Sequence, residues 1–147
     1  MKVRTHRFGT LDVEREDLIL FPEGLVGLSR LKEFVLFQDP TSPDLYWLQS
    51  TEQSAFAFAT VHSSKLGSEY DFDWDALDLE NLGLEGLGQA EVFVILNRVG
   101  GTFTANLKGP IIVNSTKMIG KQVVLKDGRF DVRHPLQVVE EPACVTA

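Results

Sequence analysis

Short apolar runs, each ended by turn-forming residues, constrain the fold of this chain more than any other sequence feature. Glu33–Gln38 and Leu45–Ser50 are separated by a segment rich in aspartate and proline, and Ala90–Val99 is followed by two glycines. Runs of this length with such boundaries are typical of β-strands, whereas segments with a helical period are few. The pattern predicts an all-β (mainly β) fold, either a compact antiparallel barrel or a sandwich.

Two further pairs of runs predict hairpins. Val3–Phe8 is joined to Leu11–Arg15 by a short turn at a glycine and a threonine. Lys121–Lys126 and Arg129–Arg133 flank Asp127–Gly128, and both residues of that dipeptide accept the positive φ that a two-residue hairpin turn requires. We therefore expect paired strands near both ends of the chain.

Residues 55–59 alternate alanine with phenylalanine. In a strand this places Phe56 and Phe58 on one face and the alanines on the other. A face of phenylalanines is expected in a core, and a hydrophobic content of 44% supplies enough apolar side chains to build one.

One segment departs from the strand pattern. Asp73–Leu82 offers Asp73 and Asp75 as N-caps, and helical spacing places Trp74, Leu77 and Leu82 on one side. We predict a short helix here.

The length of 147 residues fits one domain, for which we expect residues 1–137, with a flexible C-terminal tail at 138–147. The single cysteine, Cys144, cannot form an internal disulfide, which excludes a bridge-stabilised secreted scaffold. No apolar run has the length of a signal peptide or of a membrane span. The sequence predicts a cytoplasmic protein that does not enter a membrane.

The sequence contains no pattern typical of a catalytic or metal site. His6, His62 and His134 have no second histidine or cysteine at metal-ligand spacing. Ser115 and Cys144 lie in no recognisable nucleophile motif. We therefore expect no metal, no cofactor and no bound nucleotide, and nothing in the sequence requires an enzyme.

Charge is segregated along this chain, which has a net charge of −7. Residues 66–97 contain eight acidic residues and neither lysine nor arginine, whereas residues 98–137 contain seven basic and two acidic residues. The negative net charge disfavours nucleic-acid phosphates and anionic lipid, and it favours a basic protein partner. The eight acidic residues are Glu69, Asp71, Asp73, Asp75, Asp78, Glu80, Glu85 and Glu91.

Two interpretations of this acidic run stay open. In the first, the carboxylates keep strand edges and a helix face soluble. In the second, they dock a basic protein, with aromatic anchors inside a ring of carboxylates. The candidate partner-binding residues of the second interpretation are Glu69, Asp71, Asp73 and Asp75, which alternate with Tyr70, Phe72 and Trp74.

Five segments, in order along the chain, resemble the FliW family of flagellar assembly factors. The resemblance runs from about Lys2 to Leu136. Val26 and Leu28 stand where the family more often has proline and phenylalanine, which changes the stiffness and packing of one turn. The five segments are Phe21–Gly27, Trp47–Ser50, Asn106–Asn114, Gly120–Leu125 and Arg133–Leu136.

The resemblance implies a non-enzymatic cytoplasmic protein of flagellated bacteria with a β-barrel-like fold. Such a protein binds the carbon storage regulator (CsrA), a small RNA-binding translational repressor, and thereby frees flagellin messenger RNA. It also binds flagellin, which competes for it. The last motif adds Arg133 and His134 as candidate partner-binding residues; in the alternative, Pro135 ends the last strand and Leu136 covers the rim of the core.

Two other function classes are alternatives to this one. A β-barrel that holds an apolar small molecule is the alternative, but bulky residues such as Phe93 and Phe103 favour a filled interior. An enzyme ranks third, because no paired catalytic constellation is present in the sequence.

Overall fold

The computed structural model describes residues 1–85, 87–99 and 101–136, which contain eleven strands and one α-helix. Residues 137–147, with the predicted tail and Cys144, lie outside the described residues. The strands are β1 (Lys2–Arg4), β2 (Thr10–Asp12), β3 (Leu18–Leu20), β4 (Glu33–Gln38), β5 (Leu45–Ser50), β6 (Ala57–His62), β7 (Ala90–Val99), β8 (Thr102–Ala105), β9 (Ile111–Asn114), β10 (Ile119–Gln122) and β11 (His134–Leu136), and the helix is α1 (Ala76–Asn81).

Seven of these strands close into a barrel. Their order is β7-β6-β5-β4-β3-β10-β9, and β9 pairs in turn with β7. Neighbouring strands are antiparallel except β3 and β10, which run parallel where Leu20 lies beside Ile119. Closure pairs the edges that an open sheet would leave free. The all-β prediction is confirmed, and the barrel is the form adopted.

Strand β7 belongs both to the barrel and to a smaller extension. Its first residues, Ala90–Phe93, pair with β9, while Phe93–Ile95 pair on the other edge with β6. Its last residues, 96–99, pair with β8, and β8 pairs with β11. Strands β1 and β2 form a separate two-stranded hairpin.

The barrel interior is filled by side chains. Phe21 and Phe34 meet edge to face with ring centroids 5.2 Å apart. Gly120 lies against Phe21, and a Cβ at this position would come within 2.5 Å of the ring atom Cζ, so the close approach requires glycine. This packing favours a structural core over an apolar ligand site. The interior cluster is Ile19, Phe21, Leu25, Leu31, Phe34, Leu48, Phe93, Ile111 and Val113.

The outward-facing residues of several barrel strands are also buried. Val61 and Val94 lie in a second cluster, and Ile112 lies in a third. These clusters are closed by residues from three places outside the barrel: α1 and the residues after it, residues 66–74, and residues 123–130. The barrel therefore has a covered outer side, and the acidic run of the sequence forms part of the cover.

Helix α1 lies within the predicted range. Asp75 is its N-cap and accepts a hydrogen bond from the Leu77 N–H at 2.9 Å. Leu82 is fully buried and Trp74 is half-buried, but Leu77 is 59% exposed, so its predicted place on the inward side was wrong. The helix packs through Leu79 instead, which lies roughly 200° around the helix axis from Leu77.

The hairpin predicted around Asp127–Gly128 is wrong. Asp127 forms a local turn by accepting the Arg129 N–H at 2.9 Å, but the flanking residues do not pair with each other as strands. Leu125 and Phe130 are buried in the second cluster, and the backbone bonds there go to another loop: Leu125 N–H to the Lys108 carbonyl, and Leu107 N–H to the Asp131 carbonyl. Tertiary packing therefore overrides the turn signal.

Two other local predictions, the N-terminal hairpin and the phenylalanine face of residues 55–59, hold only in part. The N-terminal hairpin forms, but its loop is wider than predicted, because Thr5 N–H bonds to the Gly9 carbonyl and Phe8 N–H to Thr5 Oγ1. Strand β6 begins after Phe56, which is 38% exposed, so only Phe58 of the predicted phenylalanine face packs against the interior.

The last strand also differs from its prediction. Pro135 lies in the middle of β11, an edge strand, rather than at a strand end. An edge strand tolerates proline, because an N–H on its outer side has no neighbouring strand with which to form a hydrogen bond. Leu136 packs against the second cluster. No helix in the described part of the chain combines the length and apolar composition needed to cross a bilayer.

A buried aspartate fixes the turn between β4 and β5. Asp39 Oδ1 accepts hydrogen bonds from the Thr41 and Ser42 N–H groups at 2.8 and 3.0 Å, and Oδ2 accepts one from Trp47 Nε1 at 2.8 Å. Burial alone raises the pKa of Asp39, but these hydrogen bonds outweigh it and hold the pKa below its usual range. The folded protein therefore favours the charged carboxylate.

We predict that Asp39→Ala lowers the free energy of unfolding by about 2–4 kcal/mol at neutral pH, because buried donors lose their acceptor. A carboxyl with a lowered folded-state pKa contributes stability that is complete above its unfolded-state pKa and is lost as pH falls through the folded value. The difference between variant and wild type should thus narrow below about pH 4.

Urea unfolding across a pH series measures this effect. The control is Asp44→Ala, which removes a half-exposed aspartate of the same loop; Asp44 pairs with Lys65 at 3.1 Å, and its loss should cost under about 1 kcal/mol. If the free energy of unfolding of Asp39→Ala stays below that of the wild type by the same amount down to acidic pH, this role of the carboxylate is contradicted.

Candidate partner-binding surface

The acidic run from residue 69 to 75 is an extended segment that lies across the outer side of the barrel. Its side chains alternate as in a strand: Tyr70, Phe72 and Trp74 are half-buried. The four candidate carboxylates point the other way and are exposed. We call the surface formed by Glu69, Asp71, Asp73 and Asp75 the acidic face.

Tyr70 anchors the segment at one end. Its hydroxyl donates a hydrogen bond to the Leu107 carbonyl at 2.7 Å, and its ring meets Phe130 edge to face with centroids 5.1 Å apart. Burial raises the pKa of Tyr70, so the phenol stays neutral and keeps its proton for this bond. Tyr70 is therefore a structural anchor rather than a free aromatic contact for a partner.

Phe72 and Trp74 continue the same row of aromatic rings. Phe72 lies 5.4 Å from Tyr70 and stacks on Trp74, also at 5.4 Å between centroids. Both rings pack against the third cluster, which contains Leu82 and Ile112. The aromatic residues thus hold the acidic face on the barrel, which differs from their predicted role as anchors inside the interface.

The acidic residues differ in what they contact. Asp75 caps α1, as described above, and Asp78 is ion-paired with Lys121 at 2.7 Å between Oδ1 and Nζ. Glu23 also contacts Lys121 Nζ at 3.2 Å. The hydrogen bond to Asp78 is the main cause of the raised pKa of Lys121. Asp78 therefore fastens α1 to β10, whereas Asp71 and Asp73 project into solvent.

One arginine lies beside the acidic face. Arg129 forms an ion pair with Asp127, with 2.7 Å between Nη2 and Oδ2, and donates a hydrogen bond to the Asp71 carbonyl at 3.1 Å. The hydrogen bond from Arg129 lowers the pKa of Asp127, and Asp127 in turn raises that of Arg129. Arg129 therefore lies between Asp127, with which it is ion-paired, and the backbone of the acidic face.

The structure brings some of the predicted residues together in two neighbouring grooves. Asp73 and Asp75 line one groove of about 480 Å³, opposite Lys126 and Asp127. Glu69 and His134 line another of about 350 Å³, together with Arg129. Arg133 is exposed next to His134 at the start of β11. Acidic and basic candidates thus meet where β11 approaches the acidic face.

Sequence reasoning missed Arg129 and the Tyr70–Leu107 hydrogen bond. Leu107 lies 37 positions from Tyr70, so no local pattern joins them. The three histidines have no metal-ligand partner in the sequence, which also does not indicate the polar contacts of His62. This ring lies within hydrogen-bond distance of both Ser64 and Glu91. Among the described residues, no group of three or more histidine, cysteine, aspartate or glutamate side chains is placed to hold a metal ion.

Comparison with known proteins identifies the family. The FliW protein family matches residues 2–136. The chain is 34% identical to the flagellar assembly factor FliW of Bdellovibrio bacteriovorus, covering 97% of this chain and 86% of that protein. It is 35% identical to the Moorella thermoacetica flagellar assembly factor FliW, covering 92% of this chain and 88% of the relative.

A solved structure gives the same result in three dimensions. The crystal structure of a flagellar assembly factor FliW superposes with a TM-score of 0.83 at 31% sequence identity, covering 92% of this chain and 96% of that one. Both the sequence and the barrel therefore agree with the resemblance carried by the five motif segments, and this chain belongs to the FliW family of flagellar assembly factors.

Proposed function

We propose that this protein is a cytoplasmic binding factor that antagonises CsrA, also binds flagellin, and so couples the level of flagellin to translation of its messenger RNA by partner switching. The observation that carries this proposal is the acidic face. The aromatic side chains that alternate with its carboxylates pack against the barrel, and the carboxylates point into solvent. A fixed row of negative charge is suited to a basic protein surface.

The charge of the chain supports CsrA as one partner. A protein that binds RNA carries basic residues that neutralise phosphates, so its surface complements the acidic face. The same acidic face repels RNA, which favours binding the repressor without binding its message. No direct contact with nucleic acid is required for the repressor to be removed from it.

The geometry favours binding over catalysis. A carboxylate pair that acts as acid and base needs two different environments, which separate the two pKa values. Glu69, Asp71 and Asp73 are all exposed, and their positions on one extended segment give them similar surroundings. Exposed carboxylates of this kind are suited to attracting a basic partner through their charge.

Support for the second partner, flagellin, comes from the family resemblance and from the groove beside β11. Partner switching requires that the two partners share a surface or exclude each other. Glu69 of the acidic face and His134 of the last motif line the same groove. A partner that fills this groove therefore contacts one edge of the acidic face and competes with a protein bound there.

The first test reverses charge on the acidic face. We predict that Asp71→Lys combined with Asp73→Lys lowers the association rate with CsrA by about tenfold at low salt, because surface charges steer the encounter. The difference should shrink at high salt, where a Debye length near 3 Å screens the charges. Stopped-flow association kinetics at two ionic strengths measure both effects.

A matched control makes the same change in net charge elsewhere. Glu16→Lys with Asp131→Lys reverses two exposed acidic side chains outside the acidic face and should change the rate by less than about threefold. Circular dichroism checks that both variants fold. Association rates of Asp71→Lys with Asp73→Lys that equal the wild-type rates at both salt concentrations would remove the acidic face from the mechanism.

The second test concerns Arg133, which is exposed before Pro135 and makes no ion pair with a described carboxylate. We predict that Arg133→Ala leaves the melting temperature unchanged and weakens binding of CsrA or flagellin by at least about threefold. Isothermal titration calorimetry with each partner measures the affinities. An unchanged affinity for both partners would leave Arg133 without a role in the interface.

A further inference from the structure

The open end of the barrel carries a second surface, separate from the carboxylates of the acidic face. Strands β6 and β7 pair only where Thr60–His62 meets Phe93–Ile95. Beyond that point Ala57–Ala59 pairs with β5 alone, and residues 96–99 of β7 pair with β8 on the opposite edge. Among the described strands, none occupies the space between these two edges. The barrel wall is therefore open at this end.

A groove of about 350 Å³ lies at this opening, and we call it the mouth groove. Its floor contains Phe58 and Ile95, which pack on the interior cluster. Val26, Val124 and Val132 also line it and are 61%, 58% and 53% exposed. Exposed aliphatic side chains from two separate connections, β3–β4 and β10–β11, thus converge on one apolar surface, which is typical of an interaction site.

Hydrogen bonds made by the side chains of Gln122 and Asn106 fix the shape of the mouth groove. Gln122 accepts the Val26 N–H at 2.9 Å through Oε1 and donates to the Gly109 carbonyl at 3.0 Å through Nε2. Asn106 Oδ1 accepts the N–H groups of Lys108 and Gly109 at 3.1 and 3.0 Å. Because these bonds fix the loops before any partner arrives, binding here costs little ordering entropy.

One charge lines the mouth groove. Lys108 is the charged residue of its lining, and it makes no ion pair with any carboxylate in the described ranges. Lys108 is half-buried, so its ammonium group lies beside the apolar lining of the groove. Its charge complements a carboxylate supplied from outside.

We propose that the mouth groove binds an extended segment of a partner protein that carries apolar side chains and a carboxylate. The segment adds main-chain hydrogen bonds along the free edge of β6 at Ala57–Ala59, and its alternate side chains contact the valines. Its carboxylate pairs with Lys108. This surface goes beyond the function proposed above, because it uses none of the carboxylates of the acidic face and meets that region only near Val124.

The test is selection of a library of random ten-residue peptides displayed on phage against the full chain. We expect the enriched peptides to carry apolar residues at alternate positions and at least one aspartate or glutamate. Synthetic copies of these peptides should bind Val26→Asp and Lys108→Glu at least about tenfold more weakly than wild type, as measured by fluorescence anisotropy. Their binding should also slow amide hydrogen exchange at Ala57–Ala59.

Two variants make the same chemical changes outside the mouth groove. Leu77→Asp places aspartate at another exposed aliphatic residue, and Lys117→Glu reverses another exposed lysine; both should bind the peptides as wild type does. Failure to enrich any peptide, enrichment of basic peptides, or equal binding to all four variants would overturn the proposal. These outcomes do not depend on CsrA binding, so this proposal and the function of the acidic face fail separately.

Discussion

Burial of both faces of β7 is the constraint on which the rest of the structure depends. Phe93 points into the barrel and Val94 points out of it, yet both are buried. A strand with two apolar faces requires cover on each side, so the closed barrel alone cannot bury it. The outer cover built from α1 and the segments at 66–74 and 123–130 is thus a consequence of the sequence of β7.

That cover determines where the acidic face lies. The aromatic side chains of residues 70–74 turn toward the barrel because apolar surface is available there, and the period of two then turns the carboxylates to solvent. The acidic run of the sequence forms a continuous charged surface only through this packing. The division of β7 between β6, β8 and β9 has a second consequence, since it leaves the barrel open beside Phe58 and Ile95.

Much of the fold was predictable because its strands are strongly apolar and end at clear breakers. The bounds of β4, β5 and β7 follow directly from such runs. The turn at Asp127 was mispredicted because the buried contacts of Leu125 and Phe130 lie far away in sequence. Leu77 was misplaced because a helix of six residues has too few turns for its period to show which side is buried.

The candidate sites were likewise predictable only where their residues are contiguous in the chain. The acidic face was predictable because its residues are contiguous in the chain, whereas its neighbour Arg129 was not. The mouth groove combines residues from three strands and three loops, so no window of sequence contains it. Three of the five motif segments meet there through Gln122, Val26 and Gly109, although their sequences alone give no indication of this contact.

The central claim is that the acidic face docks a basic partner, and amide hydrogen exchange of the protein with and without CsrA tests it most directly. The N–H groups of Asp71–Asp75 make no backbone hydrogen bonds within the described structure, so in the free protein they should exchange quickly. The account predicts slower exchange across residues 69–75 in the complex. Protection confined to other parts of the protein, with residues 69–75 unchanged, would contradict it.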